Sequence, residues 1–289
     1  MRYTKLLICA CAALLALAAL APVGGQDGGG KGGPKAKGVK GGKGADAEPT
    51  RTQGGGGDLE GYDPDDPRPS PRMADGKQDF SGVWTMMGGN LGQDPLPAFT
   101  PGGSALYNVS VDPNRDDPSG FFCIPDGMPR IVNDPYPLQL VHKPGLLVFL
   151  YEYDHLYRIV PTTGDPVPSD PAPSWMGTSV AKWEGDTLVI ETVGLTDHMY
   201  HWFDPAGHKP SDALHLVERM TRKNFQTILY DLTIDDPKIW IKPWTQHKRY
   251  ALRPNWKITE YICEENNRTA LRGLEAPPPR YDNYKNKKQ

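Results

Sequence analysis

The chain has 289 residues, with 32 Lys+Arg against 35 Asp+Glu, a formal net charge of −3 and a pI near 6.2. That balance lacks the basic excess a nucleic-acid partner requires, so this class is excluded. The length suits one folded domain with a good core plus tails.

In chain order, residues 1–5 are a short basic start and 6–20 an apolar core rich in Leu and Ala, with small residues up to Ala21. This is the pattern of a cleaved export signal over residues 1–21. The apolar run is shorter than the ~20 residues that span a bilayer comfortably, so no transmembrane span is expected after signal removal; a retained anchor is the alternative. Residues 22–74 read as a disordered linker rich in Gly, Lys and Pro. Gly pairs alternate with Lys31, Lys35, Lys37, Lys40 and Lys43, then Pro64, Pro67, Pro69 and Pro71 punctuate a loop-like stretch. So little apolar surface cannot offset the entropy of ordering. No strand precedes the Gly runs and no helix follows, so they are not a phosphate-binding loop.

The fold is expected over residues 75–267, with a flexible polar tail over 268–289. A first strand falls at residues 80–85. Residues 95–137 are rich in Pro and Gly, and Phe121, Phe122, Cys123 and Ile124 suggest an ordered covering segment. A β-meander follows. Residues 138–142 lead through the turn His142-Lys143-Pro144-Gly145 into 146–160, a long strand or a bent pair. Residues 179–183 and 187–195 form a hairpin about Glu184-Gly185-Asp186, and 214–222 pairs through Lys223-Asn224 with 226–234. Residues 240–252, interrupted at Pro243, and 256–263 complete the sheet. The count is eight or nine antiparallel strands, which predicts an all-β fold: a closed or partly open, lipocalin-like barrel, with a β-sandwich as the alternative. Such a barrel is just wide enough for side chains or one small ligand.

Once the signal is removed, Cys123 and Cys263 are the cysteines left. An even count in an exported chain predicts a disulfide, with two buried free thiols as the alternative.

Two resemblances bear on this region. Gly82-Val83-Trp84, on the first strand of a meander, resembles the Gly-x-Trp opening of lipocalin and avidin-like (calycin) barrels, in which the Trp packs across the barrel bottom. The segments Cys123-Ile124-Pro125-Asp126-Gly127-Met128-Pro129-Arg130, Tyr151-Glu152-Tyr153-Asp154-His155, Trp183-Glu184-Gly185-Asp186-Thr187-Leu188 and Glu260-Tyr261-Ile262-Cys263-Glu264-Glu265-Asn266-Asn267 resemble a large family of exported bacterial proteins. That resemblance covers most of residues 79–267. It implies export, a β-rich domain and the Cys123–Cys263 link, and it implies no chemistry.

Chemistry concentrates in residues 197–218, which hold His198, His201, Asp204, His208, Asp212, His215 and Glu218. Imidazole and carboxylate suit a transition metal such as zinc, and His208, Asp212 and His215 are the candidate ligands. Cavity or surface histidines without metal are the competing reading. In residues 151–158, strand alternation would place Tyr151, Tyr153 and His155 on one face, able to stack on and hydrogen-bond a polar aromatic or sugar-like ligand. Trp175 and Trp202, in loops, are candidates for a stacking rim. Glu152, Glu191 and Glu218 are the candidates from which a carboxylate pair for acid–base work would be drawn. No Gly-x-Ser-x-Gly elbow or His-Glu-x-x-His motif is present.

The first reading is a periplasmic or secreted β-barrel that binds a small, partly apolar ligand through Tyr151, Tyr153, His155, Trp175, Trp202 and His208. Behind it stands an enzyme of metal- or carboxylate-dependent hydrolytic type using His208, His215 and Glu218. The third is an envelope-tethered interaction or adaptor protein.

Overall fold

The computed structural model describes residues 61–86, 91–108 and 117–263; the expected export signal, the Gly/Lys part of the expected linker and the expected polar tail lie outside the described residues. The described chain is all-β. Its strands are β1 (Gly82–Met86), β2 (Gly92–Gln93), β3 (Leu138–Lys143), β4 (Leu146–Tyr151), β5 (Tyr157–Pro161), β6 (Thr178–Glu184), β7 (Thr187–Val193), β8 (His215–Arg222), β9 (Thr227–Asp235) and β10 (Trp244–Leu252). Two five-residue helices, α1 (Gly103–Tyr107) and α2 (Pro118–Phe122), lie in the covering segment.

All pairings between these strands are antiparallel, in the order β5-β4-β3-β1-β10-β9-β8-β7-β6, with β2 added to β10. β1 joins the two hairpin runs by pairing with both β3 and β10. The sheet curls into a nearly closed barrel, not a sandwich. One seam, between β5 and β6, carries no ladder, and just past β5 the Gly164 N–H donates to the Ala181 carbonyl at 2.9 Å.

Local chemistry sets the turns. Gly145, with φ 81, follows Pro144 between β3 and β4, the type II placement. Gly185, with φ 61, opens the two-residue loop between β6 and β7. Alternation then sends one face of each strand inward: Leu216, Glu218, Met220 and Arg222 on β8, and Ile228, Tyr230, Leu232 and Ile234 on β9. Leu147, Leu188, Ile190, Leu216 and Ile228 are fully buried and fill the interior.

The barrel has two unlike ends. At the turn end lie the β3–β4, β6–β7 and β8–β9 turns. Residues 61–80 cross it as loop, pinned by Arg72 to Asp186 at 2.8 Å and by Gln78 to both backbone groups of Arg222 at 2.7 and 2.9 Å. Trp84 is fully buried there, with the Arg222 guanidinium 4.9 Å from its ring centroid. At the loop end lie the longer β4–β5, β7–β8 and β9–β10 connections and the covering segment. Cys123, at the end of α2, is joined to Cys263 by a disulfide.

Two expectations are corrected. Residues 256–263 form no strand. β10 already pairs with β9 on one side and with β1 and β2 on the other, so no ladder remains for a further neighbour. The alternation proposed for residues 151–158 also fails. β4 stops at Tyr151, and Tyr153–His155 is a 3-10 turn in which Asp154 and His155 have φ of 55 and 52. The stretch is thus a bent pair of strands, and side chains in its corner do not alternate.

Candidate functional site at the loop end

Inside the barrel, inward positions of β5 and β8 bring Arg158 and Glu218 together. The pair is bidentate, with Nη1–Oε1 at 3.1 Å and Nη2–Oε2 at 2.5 Å. The Tyr230 hydroxyl donates to Glu218 Oε1 at 2.6 Å, and the Phe149 ring lies 4.8 Å from the guanidinium. Burial alone would lower the Arg158 pKa, but Glu218 beside it overrides this and the net direction is up. Tyr151, also interior, is pushed up to about 12, chiefly by burial. This cluster is sealed. Met128 is fully buried, with its sulfur 3.4 Å from Arg158 Nη1.

Two backbone contacts hold Met128 over the mouth. Its N–H donates to the Trp175 carbonyl at 2.9 Å, and its own carbonyl lies 2.7 Å from His201 Nε2. The other ring nitrogen of His201 lies 2.6 Å from the Thr196 carbonyl. Gly127, with φ 69, is needed here: a Cβ would come within 2.6 Å of the Trp175 carbonyl and 3.0 Å of His201 Nε2.

Beside this plug lies a half-open cavity of about 130 Å³, lined by Cys123, Pro125, Asp154, His155, Tyr261 and Cys263. Cys123 (φ 53), Asp154 and His155 are the residues other than glycine with positive φ among the described residues, and all three line this cavity. Such backbone is unfavourable for L-residues and persists only where surroundings impose it. Those surroundings are visible. The Thr259 N–H donates to Glu152 Oε2, and the Tyr261 N–H donates to His155 Nε2, each at 2.8 Å. Accepting that bond leaves the proton of a neutral His155 ring on Nδ1. The Tyr136, Tyr153 and Tyr261 rings pack together, with centroids 4.8–5.4 Å apart.

Behind the cavity sits Arg130. It donates to both Asp117 oxygens at 2.9 and 2.8 Å, and its Nε is 3.0 Å from Asp126 Oδ1. Burial pushes the Asp126 carboxyl up, and burial with the neighbouring Asp126 charge pushes Asp134 well above the usual carboxylate range. Burial likewise raises Tyr261 to about 12, so it is a neutral phenol near neutral pH. The wall therefore offers a carboxylate, an imidazole and a phenol beside stacked rings.

Of the residues named from sequence, His155 lines the cavity and Tyr153 packs against Tyr261 in its wall. Tyr151 points into the sealed interior. Trp175 meets His201 edge-on at 5.4 Å, while Trp202 is buried and donates to the Met199 carbonyl at 3.2 Å. His208 stacks on Tyr107 at 4.2 Å and bonds Asp204 at 2.7 Å, whereas Asp212 pairs with Lys238 and His215 Nε2 lies 3.9 Å from Glu191. The three metal-ligand candidates thus take separate partners, and among the described residues no group of three or more His, Cys, Asp or Glu is disposed to hold a metal ion. Glu152, Glu191 and Glu218 do not meet: they lie in a turn, on the outer face and inside the barrel. Asp154, Tyr261 and Arg158 were not singled out as site residues from sequence. The one signal for the first two was their place in the Tyr151–His155 and Glu260–Asn267 motifs.

The sequence matches no protein-family model and no curated protein. Among the described residues no helix is long and apolar enough to cross a membrane.

Proposed function

We propose that the protein binds a small, partly apolar ligand at the loop end of the barrel, outside its filled interior. The ligand's polar head sits among Asp154, His155 and Tyr261, and its apolar part lies on Pro125 and the tyrosine rings. The observation that carries this is the convergence of Cys123, Asp154 and His155, all with left-handed backbone, on one cavity. Strain of this kind gathers at ligand clamps. A carboxylate and a phenol at the wall favour a head that donates hydrogen bonds, such as an amine or hydroxyl. The N-terminal pattern over residues 1–21 supports a periplasmic or secreted location, which the mass of the exported form tests directly.

Tyramine, an amine on a phenol ring, is a suitable probe. Saturable amide shifts centred on Cys123, residues 152–156 and Tyr261 are expected in a titration followed by NMR. His155→Ala and Asp154→Asn should each weaken binding by about tenfold, the scale of one charge-assisted hydrogen bond. Shifts that map elsewhere, or none that saturate, would overturn the assignment.

A further inference from the structure

Four arginines are buried among the described residues: Arg130, Arg158, Arg222 and Arg253. Three have acceptors for their guanidinium ends. Arg130 has Asp117, Arg158 has Glu218, and Arg222 donates to the backbone carbonyls of Asp79, Asn224 and Phe225. Arg253 differs. Its Nε–H donates to Thr85 Oγ1 at 3.0 Å, and its guanidinium lies 5.1 Å from the Trp256 ring centroid. Its two Nη groups have no carboxylate or carbonyl partner among the described residues, although the residue is 8% exposed. The side chain is largely enclosed while its two Nη groups keep contact with solvent, so they are open to an anion arriving from outside.

The guanidinium's surroundings form a second cavity, of about 120 Å³, at the turn end. Tyr62, Gln226, Arg253, Asn255 and Trp256 line it. In the neighbouring acidic loop the Asp63 carboxylate accepts the Asp65 N–H at 2.9 Å, Asp65 pairs with Lys223 at 2.7 Å and Asp66 with Arg68 at 2.6 Å, so these carboxylates take partners other than the Arg253 guanidinium. The fork is also fixed in place. Its Thr85 bond anchors one edge, and the Arg253 N–H bonds the Val83 carbonyl at 2.8 Å.

We propose that this cavity is a binding site for a small oxyanion, a carboxylate or phosphate group held fork-to-fork by Arg253, with the flat faces of Trp256 and Tyr62 beside it. The planar guanidinium matches both groups in bidentate geometry. The site lies at the end of the barrel opposite the Asp154–His155 cavity and does not depend on that cavity having a ligand.

The experiment is calorimetric titration of the full exported chain with benzoate, acetate and inorganic phosphate in a low-chloride buffer. Saturable binding of benzoate or phosphate is expected, and their order tells an organic acid from a phosphoryl group. Arg253→Gln should weaken it by at least about tenfold, as loss of a charge-assisted pair does. Because Arg253 also braces Thr85, Asn255→Asp provides a second reading. It leaves the arginine in place but adds a competing carboxylate, and should weaken binding on the same scale. Asp154→Asn should leave it unchanged. No saturable binding of any of the three anions, or binding that survives both Arg253→Gln and Asn255→Asp, would sink the site.

Discussion

The barrel interior and the loop-end cavity both gather charge and aromatic rings, yet they are built on opposite terms. Inside, Arg158 and Glu218 are matched oxygen for nitrogen, capped by Tyr230 and closed off by Met128. At the loop end, three carboxyl groups (Asp117, Asp126 and Asp134) lie around one Arg130, and two corner residues, Asp154 and His155, are held in left-handed backbone. In the first, both Glu218 oxygens are paired and the ions are shut away from open volume, although Arg158 Nε and the Tyr151 hydroxyl carry no hydrogen bond. The second keeps left-handed backbone beside open volume. Buried polar groups in a barrel therefore do not by themselves locate a site; backbone strain beside open volume does.

The largest test of this contrast is Glu218→Ala. It leaves the Arg158 charge buried without a partner, and we expect a loss of about 3–5 kcal/mol in urea unfolding. The double replacement Arg158→Met with Glu218→Leu should recover most of that loss, because packed apolar groups can stand in for a buried pair. A cost for Glu218→Ala indistinguishable from that of an ordinary surface change would mean the interior pair is not what it looks like.

Next comes the disulfide. Cys123 and Cys263 are 140 residues apart, so the link closes a long loop. Replacing both by Ser should cost about 2–5 kcal/mol. It should also free the wall that carries Tyr261, so tyramine affinity falls with stability. For Glu218→Ala, the folded fraction should keep its affinity. Equal effects of the two changes on binding would erase the distinction between interior and cavity.

The acid-rich side makes a prediction in pH. Burial raises the folded-state pKa of Asp134 above its unfolded value, so the protonated form suits the fold. This contribution is fully present below the unfolded pKa, near ~3.9, and is lost as pH rises through the higher folded value. Asp134→Asn should therefore raise the thermal midpoint at neutral pH and flatten its fall between acid and neutral conditions. An unchanged slope would show that another group carries it.

How much of this was legible beforehand follows from which interactions are local. The β6–β7 and β8–β9 hairpins were readable because Gly185 and the Lys223-Asn224 pair interrupt clear alternation. The disulfide was readable from the even cysteine count left beyond the apolar N-terminal stretch. Residues 256–263 carried strand-like composition, but whether a ladder is open to them depends on β1 having already taken that side of β10, where Trp84 pairs with Leu252 from 168 residues away in the chain. Arg158 finds Glu218 across 60 residues and a closed barrel, which strand parity alone cannot foretell. At the β4–β5 corner the failure is conformational: alternation presumes extended backbone, and Asp154 and His155 leave it.

That corner supplies the smallest and most discriminating test. Asp tolerates left-handed backbone better than most residues, but glycine adopts it without a Cβ penalty. Asp154→Gly should therefore stabilise the fold by up to about 1 kcal/mol through backbone relief, less whatever its carboxylate contacts contribute. The same change removes the carboxylate from the cavity wall and should weaken tyramine. Asp154→Asn keeps a side chain suited to the left-handed region and removes only the charge, so it should lose affinity without the gain in stability. A gain in stability coupled to a loss of binding, seen in the glycine variant and not in the asparagine one, is what strain held for a ligand requires. If both variants are less stable and bind as before, the left-handed corner is architecture, and the loop end is as self-sufficient as the interior.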